Sequence, residues 1–88
     1  MDKNKIYKQA LDKWGKIPQI VMLFEEMAEL QKELSKNLRG KDNIDSIAEE
    51  IADVEIMLEQ MKLLYEIEEQ VDRWKYSKIG RLAKRLEE

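Results

Sequence analysis

Glu25-Glu26-Met27-Ala28-Glu29-Leu30 and Glu49-Glu50-Ile51-Ala52-Asp53-Val54 are two copies of one six-residue pattern, and reading them as helix decides the fold. At about 100° per residue, Glu26 and Glu29 fall on one face of the first helix, and Glu50 and Asp53 on one face of the second. Each acidic pair bears the same relation to its own apolar stripe. The two copies also stand at similar distances from Gly40, so folding the helices back on each other brings the pairs within about one helical turn in height.

Working outward, the first copy lies in a helix running from the region of Pro18 to about Arg39. Ile20, Leu23, Phe24, Met27, Leu30, Leu34 and Leu38 recur in it at helical spacing. Pro18 suits its first turn and Gly40 its C-terminal stop. The second copy lies in a helix reaching about Tyr65, with Ile44, Ile47, Ile51, Val54, Leu58 and Tyr65 as its expected core stripe. Asn43 or Asp45 is placed to cap it, and Ser46 with Glu49 fits a capping box one turn later. Asp2–Trp14 reads as a short first helix broken by Gly15. The chain from Glu66 reads as a fourth, with Ile67, Val71, Trp74 and Leu82 apolar and Gly80 as an expected bend or early end. The fold class is therefore all-α. An αα-hairpin forms the scaffold of a single domain over residues 1–88, completed into a four-helix-bundle-like core through oligomerisation.

Composition narrows the chemistry. The chain has 88 residues, a net charge of -3, no cysteine and no histidine. Disulfides, thiolate metal sites, Ser-His triads and Glu-x-x-His di-iron motifs are excluded. The charge offers no general attraction for nucleic acid. No apolar run approaches a membrane span, and the charged opening does not resemble a signal peptide, so a cytoplasmic location is expected. Chemistry must come from carboxylates, Lys, Arg, Tyr or a bound ion.

A second stripe carries the functional argument. Met22, Glu26, Glu29 and Glu33 follow one line, and Glu50, Asp53, Met57, Met61 and Leu64 another. Carboxylates sharing a face with apolar residues imply a partly covered face, covered by the fourth helix or by a partner subunit. Two carboxylates about 6 Å apart repel by roughly 3 kcal/mol at an effective dielectric of about 20, so such a group takes up protons or a cation. All-oxygen ligation suits Mg²⁺ or Mn²⁺, which also lets an acidic chain hold a polyanion. A third acidic stretch, Glu68-Glu69-Gln70-Val71-Asp72, points its carboxylates away from Ile67, Val71 and Trp74 and reads as a solvated face.

On Glu25, Glu26, Glu29, Glu50 and Asp53 the chain resembles the MazG-like all-α nucleoside triphosphate pyrophosphohydrolases, whose signature is E-E-x-x-E followed by E-x-x-D. The likeness extends from Ala10 through Trp14, Gln19 and Leu23 to the ending Trp74-Lys75 to Arg85. It implies a short single-domain type in which Glu26, Glu29, Glu50 and Asp53 ligate Mg²⁺. It further implies cleavage of an NTP or dNTP between the α and β phosphates to monophosphate and pyrophosphate. The metal would lower the pKa of the attacking water and neutralise the leaving group. Glu25, off the ligand face, is a group supporting the ligands from behind, a base acting through water, or a plain surface residue.

Trp14 is placed to stack on a nucleobase or to close the core, and Gln19 to hydrogen-bond the base. Lys78 and Arg81, with Lys75 and Arg85, suit phosphate contacts or a helix C-terminus. Trp74 reads as core. The expected partners are a nucleotide substrate and a second copy, as a homodimer or a dimer of dimers. Phosphoribosyl-ATP pyrophosphohydrolase and a non-enzymatic helical interaction module are the alternatives. A small helical chorismate mutase needs clustered cations, and an acidic face has the wrong sign.

Overall fold

The computed structural model describes all 88 residues as four helices: α1 (Lys3–Trp14), α2 (Lys16–Leu38), α3 (Ile44–Tyr65) and α4 (Glu68–Leu86). The chain is all-α and bundle-like. Its breaks have local causes. The Asp2 carboxylate accepts from the Lys5 amide at 3.2 Å, capping α1. Gly15, at φ 87° and ψ 170°, joins α1 to α2 without a loop, a conformation a Cβ would strain. Gly40, at φ 99°, follows α2 and opens the turn into α3.

α3 begins at Ile44, so the expected capping box does not form: Ser46 already sits within the first turn. Asn43 stands at the N-cap position but does not cap the helix. Its side-chain nitrogen donates instead to the Glu33 carbonyl oxygen at 2.9 Å and to Glu33 Oε2 at 2.7 Å. Its oxygen accepts from Asn37 Nδ2 at 3.3 Å. The buried Asn43 thus clamps the turn end of the hairpin. α4 also runs further than expected, passing through Gly80 to Leu86.

The seam between α2 and α3 is more polar than the periodicity suggests. Gln19, Glu26 and Glu33 on α2, and Asn43 at the head of α3 with Glu50 and Met57 within it, recur every seven residues, and each is buried or half-buried. Asp53 and Gln60 follow beside them at the same interval. Ile20, Leu23, Leu30, Ile47 and Val54 supply the apolar neighbours. Glu26, Glu33, Glu50 and Asp53 of the carboxylate stripe are therefore partly covered by the hairpin itself, while Glu29 stays exposed; α4, which touches only α3, does not cover the stripe. Tyr7 anchors α1 as one of two buried apolar residues, the other being Met57. The Glu59 carboxylate beside the Tyr7 hydroxyl, then its burial, raises the phenol's pKa.

Much of the expected core stripe faces outward. Phe24 is 61 % exposed, and Met27, Leu34, Leu38, Ile44, Ile51, Leu58 and Tyr65 are also exposed. Trp74, expected in the core, is 60 % exposed, and Leu82 is exposed as well. The cause is geometric: one hairpin buries one seam, and no fourth helix lies over its other face. The accessible surface of 7283 Å² is roughly 1,900 Å² more than a folded monomer of 10.5 kDa exposes. The radius of gyration is 15.9 Å, where about 12 Å is usual for this length.

Candidate active site

The antiparallel crossing of α2 and α3 brings Glu26, Glu50 and Asp53 together. One carboxylate oxygen from each lies within 4.8 Å of the other two, and all three side chains are half-buried. Burial first, then the charges of Asp53 and Glu50, raises the pKa of Glu26; hydrogen bonding to Asp53 adds to the effect. Glu50 is raised first by burial and then by Asp53 and Glu29. Its Oε2 is buried with no hydrogen-bond partner. A buried oxygen left without a donor, on a carboxylate grouped with two others, is a fit for a hard cation and a poor fit for an apolar contact.

Glu33 shares the seam but not this condition. The Asn43 amide, then Lys36, holds its carboxyl below the ordinary value against the opposing effect of burial. Lys36 Nζ donates to Glu33 Oε1 at 3.3 Å. With both oxygens occupied by the chain's own donors, Glu33 serves the hairpin turn.

A cleft of about 370 Å³ opens from the acidic cluster along the seam. Glu26 and Asp53 line it toward the hairpin turn. Trp14, Pro18, Gln19 and Gln60 line it away from the turn, with Met22, Ile56 and Met57 between. Gln19 and Glu26 are seven residues apart on one helix, about 10 Å, which is the scale of a nucleotide. Volume and lining suit a small molecule held by apolar walls and a few polar groups.

The expected site residues divide accordingly. Trp14 and Gln19 both line the cleft, Gln19 at 5 % exposure and Trp14 at 55 %, so the indole is a wall of the cleft and not a core residue. The Lys13 ammonium lies 5.3 Å from its ring centroid. Glu26, Glu50 and Asp53 converge. Glu29 is exposed and stands outside the triad, near enough to raise both Glu26 and Glu50. Glu25 is exposed and lines no part of the cleft. Lys78 and Arg81 are exposed on α4, away from it, with Lys78 Nζ 5.9 Å from the Trp74 ring of its own helix.

Sequence reasoning missed Gln60. It is 6 % exposed, lines the cleft, and its Oε1 has no hydrogen-bond partner. The signal was present: Gln60 follows Asp53 by seven residues, as Glu26 follows Gln19, so both amides had to lie on the carboxylate face. No family model, no characterised protein and no solved structure matches the chain.

Proposed function

We propose that the chain is a divalent-metal-dependent pyrophosphohydrolase that cleaves nucleoside triphosphates between the α and β phosphates. One observation carries this reading: a single cleft has Glu26 and Asp53 at one end and an indole with two buried amides at the other. Glu26, Glu50 and Asp53 would hold Mg²⁺ or Mn²⁺, with Glu29 closing the set from the exposed side of α2. Once bound, the metal supplies charge neutralisation at the phosphates and acidifies the attacking water.

The remaining roles belong to the chain. Trp14 and Gln19 orient the base, so that the α-phosphorus sits at the acidic end. Met22, Ile56 and Met57 exclude bulk water from the middle of the cleft. Glu25 takes part only as a base acting through an intervening water. The exposed apolar face of α2 and α3 is the surface on which a second copy closes a homodimer, or two pairs a tetramer. The same exposed face favours one rival reading, a helical interaction module whose acidic pattern is incidental.

Product analysis tests the proposal. Incubation with a panel of NTPs and dNTPs and Mg²⁺ is expected to give monophosphate and pyrophosphate, abolished by chelator. Asp53→Asn lowers turnover by about 100-fold or more, because a lost ligand misplaces both water and leaving group. Diphosphate with orthophosphate would mean attack at the γ-phosphorus and refute the mechanism. Turnover of phosphoribosyl-ATP alone would move the assignment to that substrate, and no turnover with no metal binding leaves the interaction module.

A further inference from the structure

The cleft has two tiers, and the second repeats the first with the charge removed. Gln19 precedes Glu26 by seven residues, and Gln60 follows Asp53 by seven. Because α2 and α3 run antiparallel, both offsets lead away from the hairpin turn, by about 10 Å. Glu26 and Asp53 come together at one level, and Gln19 and Gln60 line the same cleft one level further on. Carboxylates stand at the end that suits a cation, and carboxamides at the other.

Gln60 is the odd member of the second tier. Only 6 % of it is exposed, yet its Oε1 is buried with no hydrogen-bond partner. An amide oxygen buried unpaired destabilises the fold. Packing does not require it there: Met57, three residues earlier on α3 and equally buried, is apolar and of similar length. A buried polar atom that the fold does not use is a group kept for a ligand. Its chemistry narrows what that ligand is. A phosphate needs cations, and no Lys or Arg lines the cleft. A metal ion is held better by the carboxylates of the first tier. What the oxygen lacks is an N–H or O–H donor on an uncharged group. Trp14, another wall of the cleft, offers a flat aromatic face, so a planar group fits beside it. The edge of a nucleobase has both properties.

Building on the pyrophosphohydrolase reading, we propose that Gln60 is a specificity-determining residue, accepting at Oε1 an N–H from the outer edge of the nucleobase while the ring lies against Trp14. Gln19, lining the same tier from α2, supplies a second amide, so the edge is held from both helices. Every common base carries at least one N–H on that edge. Gln60 therefore selects a nucleotide over a bare polyphosphate, and leaves the choice among bases to shape. The oxygen that weakens the empty protein is satisfied when the base arrives.

Gln60→Met tests this, because it keeps the length of the side chain and removes the orphaned oxygen. The nucleotide-free variant should melt about 5 °C higher than the wild type, which a residue serving the fold would not do. KM for nucleoside triphosphates should rise about tenfold with kcat nearly unchanged, the loss of one neutral hydrogen bond in binding. Calorimetry in Mg²⁺ should show the same loss for nucleoside monophosphates and none for inorganic tripolyphosphate, which reaches only the acidic end. A melting temperature that does not rise, unchanged nucleotide binding, or an equal loss for tripolyphosphate each overturns the proposal. A wild-type chain that binds nucleotides and hydrolyses none refutes the pyrophosphohydrolase reading alone, and the calorimetry still decides the role of Gln60. A wild-type chain that binds no nucleotide refutes both.

Discussion

Adding metal to the Glu26–Glu50–Asp53 cluster should raise thermal stability more than any conservative substitution elsewhere. The triad's oxygens lie within 4.8 Å of one another, and Glu50 Oε2 has no donor. A cation bound there favours the folded state by mass action, by about 2.7 kcal/mol when free metal is about 100 times its Kd. For 88 residues the unfolding entropy is roughly 185 cal/mol/K, so the melting temperature should rise by about 15 °C. The sign with pH follows from the raised carboxyls. The folded chain keeps protons on Glu26 and Glu50 where the unfolded chain, with carboxyls near their ordinary 4.5, has released them. Metal-free stability from these two groups therefore falls as pH rises through the raised values. Metal competes with those protons, so its stabilisation grows over the same window. Calorimetric melts with and without millimolar Mg²⁺ or Mn²⁺, from about pH 5 to about pH 8, measure both effects. Glu50→Gln should abolish most of the shift and Glu25→Gln should leave it. No shift at the upper pH, or equal loss in the two variants, would refute the assignment.

Trp14→Ala should raise KM and change discrimination between bases while the metal requirement persists, because stacking acts on binding and not on bond cleavage; steady-state kinetics across bases checks it. Asn43→Ala should lower the melting temperature by roughly 5–10 °C, since Glu33 then loses its buried donor. Glu33, with a lowered pKa, contributes stability above its ordinary value that is lost as pH falls through the folded one, so this deficit should narrow in acid. Phe24→Arg places a charge on the exposed apolar face of α2 and α3 and should shift sedimentation toward monomer if that face pairs two copies; a monomeric wild-type chain would remove the basis for the pairing.

The sequence by itself determined the helices and the height of the acidic groups along them. Asp2, Gly15 and Gly40 act within a few residues, and such signals are complete without tertiary context. The two E-x-x-E/D copies and their distance from Gly40 likewise placed Glu26, Glu50 and Asp53 at one level of the hairpin. Only the tertiary structure decided which stripe became the seam. Periodicity offered two faces on each helix, and apolar content favoured the one holding Phe24, Ile51 and Leu58, which lies open. The seam instead took the heptad of Gln19, Glu26 and Glu33 against Asn43, Glu50 and Met57, a register in which Asn43 satisfies Glu33 across the turn. That register leaves Glu29 outside the triad and brings Gln60 into the cleft, while Trp74 lies in solvent because α4 packs against α3 alone. Helical periodicity records which residues share a face; what that face meets depends on long-range packing, and one hairpin buries only one of its two candidate faces.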